Sequence, residues 1–323
     1  MPEVTMAGAL NAALRDSLAD DPKVLVYGED VGRAGGIFGV TAGLQTEFGS
    51  ERVFDVPISE AGFVGAAIGL AMRGYRPVVE LQFDGFAYPA LEQVLSHVAK
   101  YRNRTRGVCD MPIVLRMPAF GGLGGKEHHG ESPETIYAST PGLKVVVPSS
   151  ALDAYRLLRL AIDDPDPVVV LEPKARYRSS ESGELTVAGA GIGRARELRA
   201  GADVAIATYG AMTQRALEAA DRLAERGIQA HVLDLRSLAP LDVDAIAHAV
   251  TTTGRLVVVH EAPRSMGVGA EVAALAMEHA WNDLKAPVER VTGHDTPYPP
   301  GTLEARWLPS VDRICAAVGR TLA

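Results

Sequence analysis

Short aliphatic runs that alternate with helical stretches constrain the fold of this chain more than any other feature. Such runs occur at residues 24–27, 78–83, 113–116, 144–147 and 168–171. The helices between them are predicted to begin at Thr5, a suitable N-cap, and near Glu60, Leu91 and Ala151. Strands without polar alternation are buried on both faces, which is typical of a parallel sheet covered by helices. We therefore predict an α/β, doubly wound domain.

A second series of the same kind follows a polar, glycine-rich segment at residues 175–202. Its strands are predicted at 204–209, 230–235 and 256–260, and its helices at 213–226, 243–250 and 269–281. A chain of 323 residues is long enough for two domains. We place an N-terminal domain at residues 1–180, a linker at 181–202 and a C-terminal domain at 203–323.

The composition argues against several classes of protein. The formal net charge is −8 and Lys and Arg form no cluster, which argues against a nucleic-acid-binding surface. Glu3 lies where a secretory signal would carry its basic start, and no apolar stretch approaches the roughly 18 residues of a membrane span. The only cysteines, Cys109 and Cys315, are far apart and are expected to be free thiols. These features predict a cytoplasmic protein.

Three local patterns resemble familiar site motifs and do not fit them. The glycine-rich stretch GGLGGKE at 121–127 lacks the spacing and the Ser or Thr of a phosphate-binding P-loop. The stretch GAGIGR at 189–194 has Arg194 where a dinucleotide fingerprint needs its third glycine. His128 and His129 are adjacent on a loop, without an HExxH or CxxC motif, which does not favour a transition-metal site.

Eight short motifs occur in order along nearly the whole chain. They are GEDVG at 28–32, RVFDVPISEAG at 52–62, ELQF at 80–83, GESPE at 130–134, PGLKVVVP at 141–148, LEPK at 171–174, HEAP at 260–263 and GHDTP at 293–297. In this order they resemble the β subunits of pyruvate and branched-chain 2-oxoacid dehydrogenases, in the thiamine-diphosphate-dependent, transketolase-like superfamily. The resemblance implies an N-terminal pyrimidine-binding thiamine-diphosphate domain and a C-terminal domain like that of transketolase.

The resemblance assigns a pyrimidine pocket. Glu60 matches the catalytic carboxyl that hydrogen-bonds the pyrimidine nitrogen of thiamine diphosphate and favours the tautomer that acts as a base. Without the flanking motif, the preferred explanation of Glu60 would be an acid at a helix start, favoured by the helix dipole. Ile58, Gln82 and Phe86 match positions that line the pocket, and Phe86 stands where relatives often have Tyr. On pattern alone these residues are ordinary core.

The resemblance also assigns a catalytic histidine. The segment HHGESPE at 128–134 departs from the common family pattern YHSQSPE, and alignment through its SPE selects His129. The resemblance implies that His129 contacts the substrate-derived intermediate and assists acyl transfer to a lipoyl group. A loop histidine titrates near neutral pH, which suits proton handling. His128 is the rival for this role, and a solvated loop histidine is the alternative.

Two metal ions are implied by the same resemblance. A structural potassium would be held mostly by backbone carbonyls near Ile113, Ala161, Ile162, Asp164 and Asp166. Oxygen ligands suit such a hard cation, although the stretch DDPDP at 163–167 alone is also typical of a polar turn. Magnesium in this superfamily is usually held with the diphosphate by a Gly-Asp-Gly motif, which the chain lacks. An α subunit is therefore expected to supply the magnesium and diphosphate half of the site.

The expected function is oxidative decarboxylation of a branched-chain 2-oxo acid, with acyl transfer to lipoamide. The expected assembly is an α2β2 heterotetramer that binds a dihydrolipoyl acyltransferase core. The stretch EPK at 172–174 and the paired histidines favour branched-chain relatives, with pyruvate dehydrogenase as the alternative. A cofactor-free binding or scaffold protein on the same fold is the alternative of another class. A self-sufficient transketolase-like enzyme is disfavoured by the missing diphosphate motif.

Overall fold

The computed structural model describes residues 3–125, 128–299 and 301–323, so that Lys126 and Glu127 of the glycine-rich stretch lie outside the described residues. The N-terminal elements are β1 (Glu3–Thr5), α1 (Met6–Asp20), β2 (Val24–Gly28), α2 (Leu44–Phe48), β3 (Val53–Asp55), α3 (Glu60–Met72), β4 (Arg76–Glu80), α4 (Tyr101–Arg104), β5 (Val114–Ala119), α5 (Glu134–Ala138), β6 (Lys144–Val146), α6 (Ala151–Asp163), β7 (Val168–Pro173) and β8 (Ser180–Ser182). Between β4 and α4 lie a 3₁₀ helix, Asp84–Ala90, and a π-helix, Gln93–Val98.

The C-terminal elements form a second, similar series. They are β9 (Arg196–Arg199), β10 (Val204–Thr208), α7 (Met212–Ala224), β11 (Ala230–Asp234), β12 (Ser237–Ala239), α8 (Val243–Thr253), β13 (Leu256–Val259), α9 (Val268–Ala280), β14 (Glu289–Val291), α10 (Gly301–Trp307) and α11 (Val311–Leu322). No helix in the described ranges is long and apolar enough to cross a membrane.

The first sheet has seven strands in the order β12-β6-β7-β5-β4-β2-β3, and all neighbours except β12 and β6 are parallel. Alternate residues of its buried strands face opposite layers. Val24 and Val26 of β2 share a core with α1 and α6, whereas Leu25 and Tyr27 share one with α3. Helices therefore cover both faces, as a doubly wound parallel sheet requires.

The second sheet has five strands in the order β14-β13-β10-β11-β9, of which only β9 is antiparallel to its neighbour. Its strands pack against α7 and α11 on one face and against α8 and α9 on the other. The layer with α8 and α9 belongs to the same apolar core as the α3 layer of the first sheet. The two-domain α/β architecture expected from the sequence is confirmed.

Two strands tie the sheets together in ways that local patterns do not predict. β9 lies in the segment predicted as a linker, yet it pairs with β11 of the second sheet. β12 follows β11 in the chain and crosses to the edge of the first sheet, where it pairs with β6. Beside this crossing, the buried guanidinium of Arg236 pairs with the carboxylate of Asp153 in α6.

The segment after β4 differs from its sequence prediction. The strand predicted at 78–83 ends at Glu80, and an additional 3₁₀ helix, Asp84–Ala90, precedes the helical turns that begin at Leu91 as predicted. The buried carboxylate of Asp84 accepts hydrogen bonds from the amides of Gly85, at 3.0 Å, and Phe120, at 3.2 Å. These bonds hold a bend in the chain, so that the residues after β4 leave the sheet.

Candidate active site

Acidic and amide side chains gather beyond the carboxyl ends of three adjacent strands. Glu29 and Asp30 directly follow β2, Gln82 follows β4, and Glu60 begins α3 after β3. These strands lie side by side in the order β4-β2-β3. The carboxyl ends of parallel strands are where open α/β sheets place their ligands. The fold therefore puts Glu60 and Gln82 where a ligand site is expected.

Contacts and charges connect these side chains. Gln82 Nε2 donates a hydrogen bond to Asp30 Oδ2 at 2.8 Å. Glu29 is only 8% exposed, and its Oε1 has no hydrogen-bond partner within the described part of the chain. Burial raises the pKa of Glu29, and the negative charges of Glu60 and Asp30 raise it further. Glu60 therefore lies close enough to Glu29 for their charges to interact, and we call these four residues the acidic cluster.

His129 packs against two aromatic rings, which also contact each other. Its ring centroid lies 4.5 Å from that of Phe83 and 5.2 Å from that of Phe86, both edge to face. The 3₁₀ helix that carries Phe86 packs against α3, the helix that Glu60 begins. His128 is exposed, and its backbone lies against Gly85. The segment 82–86 thus connects the acidic cluster to His129, and the packing favours His129 over His128.

The outer face of α3 is apolar and exposed. Its exposed residues are Ala61, Gly62, Ala66, Gly69 and Met72. Ile58, just before the helix, is 83% exposed, whereas the other residues assigned to the pocket, Glu60, Gln82 and Phe86, are half-buried. Glu60 is the only charged residue of α3. An apolar face of this kind beside a polar cluster is typical of a surface that another chain covers.

A buried ion pair supports the aromatic residues around His129. Lys174 Nζ lies 3.1 Å from Asp84 Oδ2, and both side chains are fully buried. Lys174 Nζ also lies 5.8 Å from the centroid of the Phe83 ring. Burial raises the pKa of Asp84 to about 6 and lowers the pKa of Lys174, because desolvation outweighs their attraction. The sequence offered no signal for this pair, since 90 residues separate its members.

Two of the carbonyls assigned to potassium accept hydrogen bonds within the protein. The Ile113 carbonyl accepts from the Val168 amide at 3.0 Å, and the Ile162 carbonyl accepts from Arg76 Nη1 at 3.0 Å. Ala161 lies in the last turn of α6, whose carbonyl end carries partial negative charge. Each carbonyl keeps a second lone pair for a cation.

The carboxylates of Asp164 and Asp166 already have cationic partners. Lys144 Nζ lies 2.7 Å from Asp164 Oδ1 and 3.1 Å from Asp166 Oδ2, and Arg102 also pairs with Asp166. Within residues 3–125, 128–299 and 301–323, no cluster of three or more His, Cys, Asp or Glu side chains is placed to hold a metal ion. Backbone carbonyls, rather than these side chains, are the available ligands.

A second group of buried carboxyls lies between the domains. Glu261 Oε2 accepts a hydrogen bond from the Gly121 amide at 2.8 Å, and Glu134 Oε1 accepts one from the Tyr209 hydroxyl at 2.7 Å. Burial raises the pKa of each carboxyl to about 7. Neighbouring negative charges add to the effect, since Asp84 raises the pKa of Glu134 and Glu134 raises the pKa of Glu261.

Replacing Glu261 with Gln is expected to flatten the pH dependence of stability. Its pKa rises from 4.5 to about 7 on folding, so the folded state binds the proton more tightly. Its contribution to the free energy of unfolding therefore falls, by about 3 kcal/mol, as the pH rises through this range. Relative to wild type, the urea midpoint of the variant should be higher at about pH 8 than at about pH 5.

The control for this measurement is Glu278→Gln, which changes an exposed carboxyl of α9. It is expected to leave the pH dependence of the urea midpoint unchanged. If the urea midpoints of the Glu261 and Glu278 variants depended equally on pH, the pH dependence of stability could not be assigned to Glu261.

Comparison with known proteins identifies the domain families to which the chain belongs. A family model described as the transketolase pyrimidine binding domain matches residues 2–180, and one described as the transketolase C-terminal domain matches residues 193–314. A solved structure, "Split gene transketolase, inactive beta4 tetramer", has a TM-score of 0.82 at 24% identity and covers 99% of this chain and 98% of its own. The chain thus combines the two domains in the order expected from its motifs.

Curated relatives identify the family within that class. The 3-methyl-2-oxobutanoate dehydrogenase subunit beta of Mycobacterium tuberculosis is 52% identical over 99% of this chain and 92% of the relative. The pyruvate dehydrogenase E1 component subunit beta of Leifsonia xyli is 50% identical over 98% and 94%, and that of Staphylococcus aureus is 44% identical over 100% and 99%. The chain belongs to the β-subunit family of the 2-oxoacid dehydrogenases, which are oxidoreductases. The family expected from the ordered motifs is confirmed.

Proposed function

We propose that this chain is the β subunit of a branched-chain 2-oxoacid dehydrogenase. With an α subunit it decarboxylates a branched-chain 2-oxo acid and transfers the acyl group to lipoamide. The observation that carries the proposal is the acidic cluster with Glu60 at the carboxyl ends of β2, β3 and β4, beside an exposed apolar helix face. The 52% identity to a 3-methyl-2-oxobutanoate dehydrogenase β subunit supports the branched-chain substrate.

The residues around Glu60 fit the pyrimidine of thiamine diphosphate. A pyrimidine ring with an amino group needs hydrogen-bond acceptors, and Glu29 Oε1 is a buried acceptor without a partner in the described part of the chain. Glu60 would hold the hydrogen bond to the ring nitrogen, Gln82 would contact the polar edge, and Phe86 would face the ring. When bound, the cofactor supplies the electron sink that decarboxylation of a 2-oxo acid requires.

An α subunit would complete the site. This chain has no Gly-Asp-Gly motif for the diphosphate and its magnesium. The outer face of α3 and the exposed Ile58 give the α subunit an apolar surface to cover, directly beside Glu60. The proposed assembly has two α and two β subunits. Its C-terminal domains would face a dihydrolipoyl acyltransferase core.

His129 would act on the acyl side of the site. Phe83 and Phe86 restrict the orientation of its ring and keep water from two of its sides. Its ring nitrogens would face the acyl group at the stage when that group passes to the lipoyl sulfur, and could exchange a hydrogen-bonded proton with it. Potassium, held by carbonyls near Ile113 and Ile162, would fix the end of α6 far from this chemistry.

The proposal is tested by co-expressing the chain with an α subunit and measuring decarboxylation with thiamine diphosphate and magnesium. Activity is expected only in the pair, and 2-oxoisovalerate should be preferred to pyruvate by about 10-fold or more in kcat/KM. The chain alone is the control. Parallel assays in potassium and sodium salts test the cation, since only potassium should raise the thermal midpoint of the pair.

The two other outcomes separate the alternatives. A preference for pyruvate would identify a pyruvate dehydrogenase β subunit, the role of the relative at 50% identity. A stable pair without turnover of either acid would contradict the proposed substrates and favour the cofactor-free scaffold.

A further inference from the structure

A carboxylate of the C-terminal domain binds the loop that carries His129. Glu304 of α10 accepts hydrogen bonds from two backbone amides of this loop, whose described residues, 121–125 and 128–130, we call the glycine loop. The Gly122 amide lies 2.8 Å from Glu304 Oε1, and the Gly124 amide lies 3.0 Å from Oε2. The Tyr298 hydroxyl donates to the same Oε1. Bonds from amides to a carboxylate are roughly twice as strong as those to neutral acceptors.

Glycines in both the glycine loop and α10 allow these two parts of the chain to come close together. Gly122 and Gly124 have φ angles of +98° and +66°, which turn their amides toward Glu304 and which other residues rarely adopt. A Cβ at Gly301 would lie 2.3 Å from the Gly124 carbonyl oxygen, and one at Gly130 would lie 2.4 Å from the Tyr298 ring. The backbones of Gly124 and Gly301 are thus in direct contact, and the Tyr298 ring packs on Gly130.

The same contacts adjoin His129. A Cβ at Gly125 would lie 3.1 Å from the Cβ of His129, so that the loop passes directly beside this residue. Gly130, which follows His129, packs on Tyr298, and Tyr298 is hydrogen-bonded to Glu304. The chain is therefore held against the C-terminal domain at Gly122 and Gly124, before His129, and at Gly130, directly after it.

We propose that Glu304 is a positioning residue, which holds the glycine loop so that the His129 ring stays packed against Phe83 and Phe86. The proposal rests on the role of His129 proposed above. The N-terminal domain supplies the two aromatic rings, and the C-terminal domain supplies the carboxylate that fixes the loop over them. The geometry of His129 thus depends on both domains.

The first test is hydrogen–deuterium exchange of the full chain, without cofactor or partner. In Glu304→Ala, amides in the peptide 121–125 are expected to exchange about 10- to 100-fold faster, because two of them lose a charged acceptor. Glu304→Gln keeps one acceptor oxygen and should give an intermediate rate. Arg306→Ala, at an exposed position of the same helix, is the matched control. Unchanged exchange in both Glu304 variants would overturn the proposal.

The second test is a double-mutant cycle in the assembly with the α subunit. Glu304→Ala is expected to slow lipoyl acylation about 10-fold, with little change in the KM for the substrate. In a His129→Ala background it should slow acylation by less than about 2-fold, because it acts through His129. Equal losses in both backgrounds would show that Glu304 acts independently. Full acylation by the His129→Ala single variant would contradict the proposed role of His129, and the exchange result would not change.

Discussion

Replacing Glu60 with Gln is expected to slow decarboxylation of the substrate by about 10²- to 10⁴-fold, with assembly intact. The substitution keeps the size of the side chain at the start of α3 and removes its ionisable carboxyl. In the proposed site this carboxyl holds the hydrogen bond to the pyrimidine nitrogen, and a neutral amide favours the tautomer less. The turnover rate is measured in the co-expressed pair at saturating thiamine diphosphate.

The competing explanation is that Glu60 only stabilises the helix start through the helix dipole. It predicts normal turnover and a loss of stability of at most about 1 kcal/mol. Asp244→Asn is a matched control, since Asp244 is an exposed acid in the first turn of α8. If the Glu60 variant decarboxylates as fast as this control, the proposed role of Glu60 is wrong.

Replacing Arg116 with Met is expected to destabilise the chain by about 3–5 kcal/mol. Arg116 is buried in β5, and its guanidinium donates to Glu172 at 2.8 and 2.7 Å and also to Glu80. Removing it leaves two carboxylates buried side by side without a cation, which is costly in a low-dielectric core. Glu80 ends β4 immediately before the residues of the site, so cofactor binding should weaken as well.

The stability loss is measured by urea unfolding of the Arg116 variant beside Arg215→Met. Arg215 is an exposed residue of α7 whose ion pair with Glu218 lies within one helix, and its replacement should cost less than about 0.5 kcal/mol. Adding Glu80→Gln and Glu172→Gln to the Arg116 variant should recover part of the loss, since it neutralises the orphaned carboxylates. A loss below about 1 kcal/mol for Arg116→Met would contradict this account.

Hydrophobic periodicity and capping residues correctly predicted the helices whose ends depend on neighbouring residues. The helix expected to begin near Glu60 is α3 (Glu60–Met72), and Thr5 caps α1 by accepting from the Gly8 amide at 3.1 Å. The return of β12 to the first sheet could not be predicted this way, because its pairing with β6 depends on residues far away in the chain. Long-range pairing is set by the assembled core, which hydrophobic periodicity does not describe.

The site was predictable only where the ordered motifs reached it. Glu60, Gln82, Phe86 and His129 were assigned by resemblance, and their roles remain predictions. Glu29 lies within one of those motifs, but only its burial distinguishes it as an unpaired acceptor in the part of the chain that the structure describes. Glu304 is far from His129 in the sequence and follows no recognisable motif. Because Glu304 binds backbone amides, the residues it contacts need no particular side chain, and the sequence therefore carries no pattern that predicts the contact.

The crossing of β12 makes the apparent domain boundary a poor place to divide the gene. A fragment that ended before residue 193 would contain all the residues that match the pyrimidine binding domain. It would nevertheless leave β6 as an open sheet edge. It would also uncover the half of the apolar core that α8 and α9 close. Open edges and bare apolar surfaces promote aggregation. The two domains therefore share one core and are expected to fold stably only together.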